Sequence, residues 1–121
     1  MTNLSVNVNK IAWLRNARGG KTPDIVELSK IIIDCGAAGI TVHPRPDLRH
    51  ITPEDVYQLR ELTLNENIEF NIEGNPYSEA NIKYPGFKEI IKIAKPDQCT
   101  LVPDSLEQIT SDHGWDFIKK D

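Results

Sequence analysis

Four short apolar runs recur along this chain, Leu4 to Val8, Gly39 to Val42, Glu69 to Glu73 and Gln98 to Val102, and helix-forming sequence lies between the first and the last of them. That alternation constrains the fold more than any other feature. Antiparallel neighbours can be joined by a two-residue turn, whereas parallel neighbours need a crossover of about a dozen residues or more, usually a helix. The spacing therefore predicts parallel βα units, which either stay an open sheet or close into a barrel. The Gly-rich fingerprint of a dinucleotide-binding sheet is missing. A complete eight-unit barrel takes ~250 residues, so the 121 residues here hold half of one, read as a single unit over 1–121.

Local signals place the helices. Thr22 is expected as an N-cap, with Pro23 at the first helical position and Ile25, Leu28, Ile32 and Cys35 as a buried stripe ended by Gly36. In Thr52-Pro53-Glu54-Asp55 a hydroxyl can accept an orphaned backbone N–H, and the acidic residues favour the positive end of a helix. Val56, Leu59 and Leu62 then face inward. The segment Phe87 to Ala94 presents Phe87, Ile90, Ile91 and Ala94 and has to stop near Lys95-Pro96. Pro85-Gly86 breaks whatever precedes it. Asn75 to Tyr84 reads as irregular and exposed, although Ser78-Glu79-Ala80 could begin a short helix.

A net charge of -4 argues against a general nucleic-acid binder, because affinity for a phosphate backbone needs a positive surface. Cys35 and Cys99 sit in apolar sequence and form neither a disulfide framework nor a metal-ligand spacing. No stretch of eighteen apolar residues and no secretory leader is seen, so neither a membrane nor export is expected, and the reading is of a cytoplasmic protein.

Polar residues gather just beyond each run: Asn7, Asn9 and Lys10 after the first, His43 and Arg45 after the second, Glu73 at the third, Thr110 in the loop after the fourth. Parallel strands carry all of these to one rim, the carboxyl end, where α/β enzymes keep their chemistry. A histidine can move a proton either way near neutrality, and a carboxylate among apolar strands can have its pKa raised, so His43 and Glu73 are an acid/base candidate pair. Arg45, Arg49 and His50, with Arg15 and Arg18 from the first loop, could bind phosphate, because guanidinium forks match phosphate oxygens in pairs. Plainer readings exist. A strand-end histidine is often only hydrogen-bonded, a carboxylate at a loop start often caps a helix, and the arginines could pair with Asp24, Asp47 and Glu54. Trp13 and Trp115 read as packing residues. His43, His50, Asp47 and Glu73 lack the spacing of ligands to a shared metal, so no metal is expected.

Three separated segments carry a resemblance: Asn7-Val8-Asn9-Lys10-Ile11-Ala12-Trp13-Leu14-Arg15-Asn16-Ala17-Arg18-Gly19; Gly39-Ile40-Thr41-Val42-His43-Pro44-Arg45 through Arg49-His50-Ile51; and Leu101-Val102-Pro103 with Ile109-Thr110. In order and spacing they resemble the pyridoxine 5'-phosphate synthase family. The resemblance covers nearly the whole chain and implies the fold class, α/β, as the N-terminal half of a (β/α)8 TIM barrel whose C-terminal half is absent here. It implies condensation of 3-amino-2-oxopropyl phosphate with 1-deoxy-D-xylulose 5-phosphate to pyridoxine 5'-phosphate, phosphate and water. It further implies no metal or organic cofactor, and a homo-oligomer when complete.

By the same resemblance, Asn7 and Arg18 would contact the amino-ketone phosphate. Arg45, His50 and Thr110 would hold the xylulose phosphate, and His43 and Glu73 would be proton acceptors. Asn9-Lys10 stands where many members carry Asp-His; with Asn71-Ile72-Glu73-Gly74 it looks like a variant subgroup, and Lys10 can still bind phosphate as a point charge. Asn81 to Gly86 looks inserted. The family's late proton-donating histidine and the backbone amides that grip the amino-ketone phosphate have no counterpart in this sequence, and His113 matches no such motif. The chain alone is therefore expected to be inactive, and its gene to continue past Asp121 with further βα units. The competing expectation is a non-catalytic phosphate-binding half-barrel that self-associates to cover its strand edges.

Overall fold

The computed structural model describes residues 1–118. Its elements are β1 (Ser5–Asn7), α1 (Asn9–Ala17), α2 (Ile25–Asp34), β2 (Gly39–Val42), α3 (Pro53–Asn65), β3 (Glu69–Gly74), α4 (Phe87–Ala94) and β4 (Gln98–Leu101). All strands are parallel, in the order β1-β2-β3-β4, with Ser5 opposite Gly39, Gly39 opposite Glu69 and Asn71 opposite Gln98. Each strand lies beside its successor, as barrel staves do; a doubly wound sheet reverses its order partway.

Side chains alternate across a strand, and here the two faces differ in chemistry. Ile40 and Val42 of β2, with Phe70 and Ile72 of β3, are fully buried and pack in one core with Val8, Ile51, Val56, Leu59 and Ile90. Each such burial contributes about 1.5–3 kcal/mol. The opposite face is polar and crosses the whole sheet. Ser5 and Thr41 hydroxyls lie 2.7 Å apart, Asn71 Nδ2 donates to Thr41 Oγ1 at 3.4 Å, and Thr100 Oγ1 donates to Asn71 Oδ1 at 3.0 Å. Buried polar groups persist because they are paired.

The helix of Thr52 forms as expected, with a full capping box: Asp55 N donates to Thr52 Oγ1 at 3.1 Å and Thr52 N to Asp55 Oδ2 at 2.9 Å. Val56 and Leu59 are fully buried, and Leu62 packs partly buried against the core. The helix of Phe87 keeps its expected bounds, ending at Lys95 in the left-handed region (φ 48°) just before Pro96.

Elsewhere local expectation gives way. Residues 9–17, taken from sequence as loop, are helical. Only Ala12 is buried among them while Trp13 and Leu14 are exposed, so no apolar stripe announces the helix. The cap of α2 is Asp24, not Thr22: its Oδ1 accepts from Val26 N and Glu27 N at 2.9 and 3.0 Å, a charged acceptor satisfying two orphaned donors. The buried residues of α2 are Ile25 and Ser29, and Cys35, at its C-cap, is exposed. Cys99 is exposed too, because β4 pairs only with β3 and all four of its residues are uncovered. Ser78 to Ala80 starts no helix. Tyr84 is buried rather than exposed, drawn in where Asn81 Oδ1 accepts from the Lys83 and Tyr84 amides at 3.1 and 3.0 Å.

Candidate active site

The polar face of the sheet continues past the strand ends. His43 and Glu73 stand two residues beyond Thr41 and Asn71, on the same side of β2 and β3, so the strand parity that buries Ile40 and Ile72 turns both toward the polar face. His43 is 5% exposed, and its backbone N–H donates to Asn9 Oδ1 at 2.9 Å, while Asn7 Oδ1 accepts from Asn9 N at 2.8 Å. Asn7 and Asn9 thus join β1, α1 and the loop after β2.

Arg45 and His50 are equally covered, at 4% and 6% exposed. Arg45 Nη2 donates to Asp104 Oδ2 at 2.9 Å, and His43 Nδ1 lies 3.8 Å from the same oxygen. His50 Nδ1 accepts from Ile51 N at 2.8 Å, so its neutral ring carries the proton on Nε2. Burial, reinforced by Arg45, pushes both histidines down from 6.5 to about 4; Asp104 opposes the shift at His43. Both are uncharged at neutral pH. Glu73 moves the other way, raised first by burial and then by the Asp104 charge. No hydrogen bond or ion pair links His43 to Glu73 among the described residues, so the two do not form a directly bonded pair.

A cavity of about 590 Å³ opens beside them, lined by Asn7, Asn9, Lys10, Trp13, His50, Ile109 and Thr110. That volume is in the range for a small-molecule site. It gathers five of the candidate residues. A second cavity, of about 20 Å³, is lined by His43, Arg45, Asn75, Asp104 and neighbours. Glu73 and Arg18 line neither, and the exposed Arg18 follows the last residue of α1.

Two cations proposed for phosphate are committed elsewhere. Arg15 makes a two-pronged pair with Asp55 at 2.6 and 2.7 Å, which raises its pKa and ties α1 to the start of α3. Arg49 pairs with Asp47 at 2.9 Å, as the plainer reading had it, and also donates to the carbonyls of Leu106, Gln108 and Ile109 at 3.0, 2.6 and 3.0 Å. It staples the loop after β4 onto the loop after β2. Trp13 is 45% exposed and its ring lies 6.4 Å from that of His50, which makes it a wall of the larger cavity rather than core packing. Asp104 was missed from sequence. Its signal was available, an acidic residue just past the fourth strand, on the rim that every other candidate occupies.

Four parallel strands joined by helices, with buried, uncharged histidines and a buried arginine gathered past the strand ends, define an α/β protein built on half of the barrel plan. Residues 4–121 match the family described as Pyridoxal phosphate biosynthesis protein PdxJ, and the chain belongs to that family. It is 57% identical over 118 residues to the Pyridoxine 5'-phosphate synthase of Xanthomonas campestris pv. campestris (strain B100), covering 98% of this chain and 46% of that protein. The synthases of Xanthomonas axonopodis pv. citri (strain 306) and Xylella fastidiosa (strain M23) are 56% and 55% identical over 118 and 119 residues, with the same shares of each chain covered. The chain spans about half the length of the curated relatives it matches. Among the described residues no three His, Cys, Asp or Glu side chains converge as metal ligands, and no helix is long and apolar enough to cross a membrane.

Proposed function

We propose that this chain supplies the N-terminal half of a pyridoxine 5'-phosphate synthase barrel, of the subgroup with Asn9-Lys10 after the first strand. The enzyme joins 3-amino-2-oxopropyl phosphate to 1-deoxy-D-xylulose 5-phosphate. An amine attacks a ketone, water and phosphate leave, and a ring closes, so protons pass repeatedly between carbon, nitrogen and oxygen. His43 and Glu73 accept those protons. Arg45, His50 and Thr110 hold the sugar phosphate; Asn7 and Arg18 hold the amino-ketone phosphate, with Lys10 adding positive charge and Asn9 fixing the loop. The observation that carries this reading is the buried His43, uncharged at neutral pH and so ready as a base, two residues from Arg45 on the rim where Glu73 is the last residue but one of its strand. By resemblance alone, the reading extends to a cytoplasmic homo-oligomer in which 1–121 forms one partial barrel domain.

Kinetics on the complete gene product that carries this chain test the division of roles. His43→Ala is expected to lower kcat by ~10²–10⁴-fold, the usual worth of a general acid–base group, with KM little changed. Arg45→Ala is expected mainly to raise KM for the xylulose phosphate. Equal effects on both parameters in both variants would remove the assignment.

A further inference from the structure

Asp104 has no part in the roles given above, yet it is a buried carboxylate in contact with two of the residues assigned there, Arg45 and His43. It is 7% exposed, and its Oδ2 faces Arg45 Nη2 at 2.9 Å, His43 Nδ1 at 3.8 Å and the Ser111 hydroxyl, which donates to it. Its Oδ1 is buried without a hydrogen-bond partner. A carboxylate in that position carries a desolvation cost that the fold retains. Its backbone is fixed as well: Asn75 Nδ2 donates to the Asp104 carbonyl at 3.0 Å, and the Arg49 staple holds the chain that follows.

We propose that Asp104 is a positioning residue for the condensation, anchoring the Arg45 guanidinium by one edge so that its other N–H groups face the sugar phosphate, and standing as the counter-charge behind His43. The proposal rests on the synthase reading above. Among the described residues Arg45 has no other side-chain partner, so without Asp104 nothing fixes its orientation. A planar fork gains its value from being pre-set. The charged and titratable groups around His43 are Arg45, Arg49 and His50 from its own loop and Asp104 from the loop after β4, with Glu73 of β3 coupled to Asp104 and Arg45. Asp104 is the acidic member that favours a proton on His43; the cations oppose it.

The test is Asp104→Asn and Asp104→Glu in the complete gene product, read by separate KM values, by the pH dependence of kcat/KM and by NMR titration of the His43 ring. With Asn, KM for 1-deoxy-D-xylulose 5-phosphate should rise about tenfold or more while KM for the amino-ketone stays within about twofold. The acid limb and the His43 titration should both move to lower pH, and Glu should recover part of each effect. Because Asn leaves Arg45 buried and unpaired, the variant could fail to fold. The double variant Arg45→Gln/Asp104→Asn then decides: KM for the sugar phosphate no higher than in Arg45→Gln alone supports action through Arg45. A further multiplicative rise, an equal rise for both substrates, or an unmoved His43 titration overturns the proposal. A wild-type protein that makes no pyridoxine 5'-phosphate would instead remove the function, with the His43 titration still reporting whether Asp104 sets its charge.

Discussion

Strands β2 and β4 each run four residues in one parallel sheet, yet every residue of β2 is buried and every residue of β4 is exposed. Their sequences, Gly-Ile-Thr-Val and Gln-Cys-Thr-Leu, do not account for so complete a difference. Cover does. β2 is flanked by β1 and β3 and backed by the apolar core, whereas β4 has one neighbour and leaves Leu101 49% exposed. The same contrast divides the site. The loop after β2 holds His43, Arg45 and His50 at 4–6% exposure, where burial resets proton affinities, while Thr110 and Ser111 in the loop after β4 are exposed. Asp104 is the exception, drawn under cover by Arg45. One side of the rim is thus electrostatically set by the contacts within this chain; the other has its residues in place without the surroundings that would tune them.

The sharpest way to break that contrast is paired truncation. Ile72→Ala, at a fully buried position, is expected to cost about 2–5 kcal/mol, and Leu101→Ala about 0.5 kcal/mol or less, both from urea denaturation of the chain. Similar losses at the two sites would mean that β4 is covered in solution, as self-association would also produce, and sedimentation would then identify the cover.

A pH series reads the covered side alone. The unfolded chain protonates a histidine near 6.5, whereas folded His43 and His50 wait until about 4, so the unfolded state binds more protons in between. Stability should therefore fall as pH drops from 6.5 to 4 and be flat in this respect above 6.5, by at most ~3 kcal/mol for each ring. Glu73 acts oppositely: its raised pKa makes the folded state hold a proton longer, so its contribution falls as pH rises above 4.5. His43→Asn should remove about half of the histidine-dependent slope measured by urea midpoints between pH 4.5 and 7, the other half remaining with His50. An unchanged slope would mean that His43 is not buried as described. Thr52→Ala, which removes one half of the capping box behind the covered side, should cost ~1 kcal/mol by urea denaturation, between the losses expected at Ile72 and Leu101.

How far the sequence could be read follows the same physics. Strands, their parallel order and the bounds of α4 were legible because short apolar runs, a strong helical stripe and Pro-Gly stops act locally. The rim was legible because strand parity decides which residues share a face. What sequence could not supply was pairing across long separations. Arg15 finds Asp55 forty positions away, Arg49 finds three backbone carbonyls in another loop, and Asp104 finds Arg45, none of it signalled by neighbours. The helix α1 escaped for the converse reason: it buries only Ala12, so its face carries no pattern.

The most direct test joins this chain to the C-terminal half of the Xanthomonas campestris synthase, the part its alignment leaves uncovered, and assays pyridoxine 5'-phosphate formation from the two phosphorylated substrates. If β2 brings a preset half-site and β4 needs a covering half, the fusion forms product, its His43→Asn variant falls by at least ~10²-fold, and the 121-residue chain alone forms none. A folded fusion that is inert, or a 121-residue chain that makes the product unaided, would contradict it.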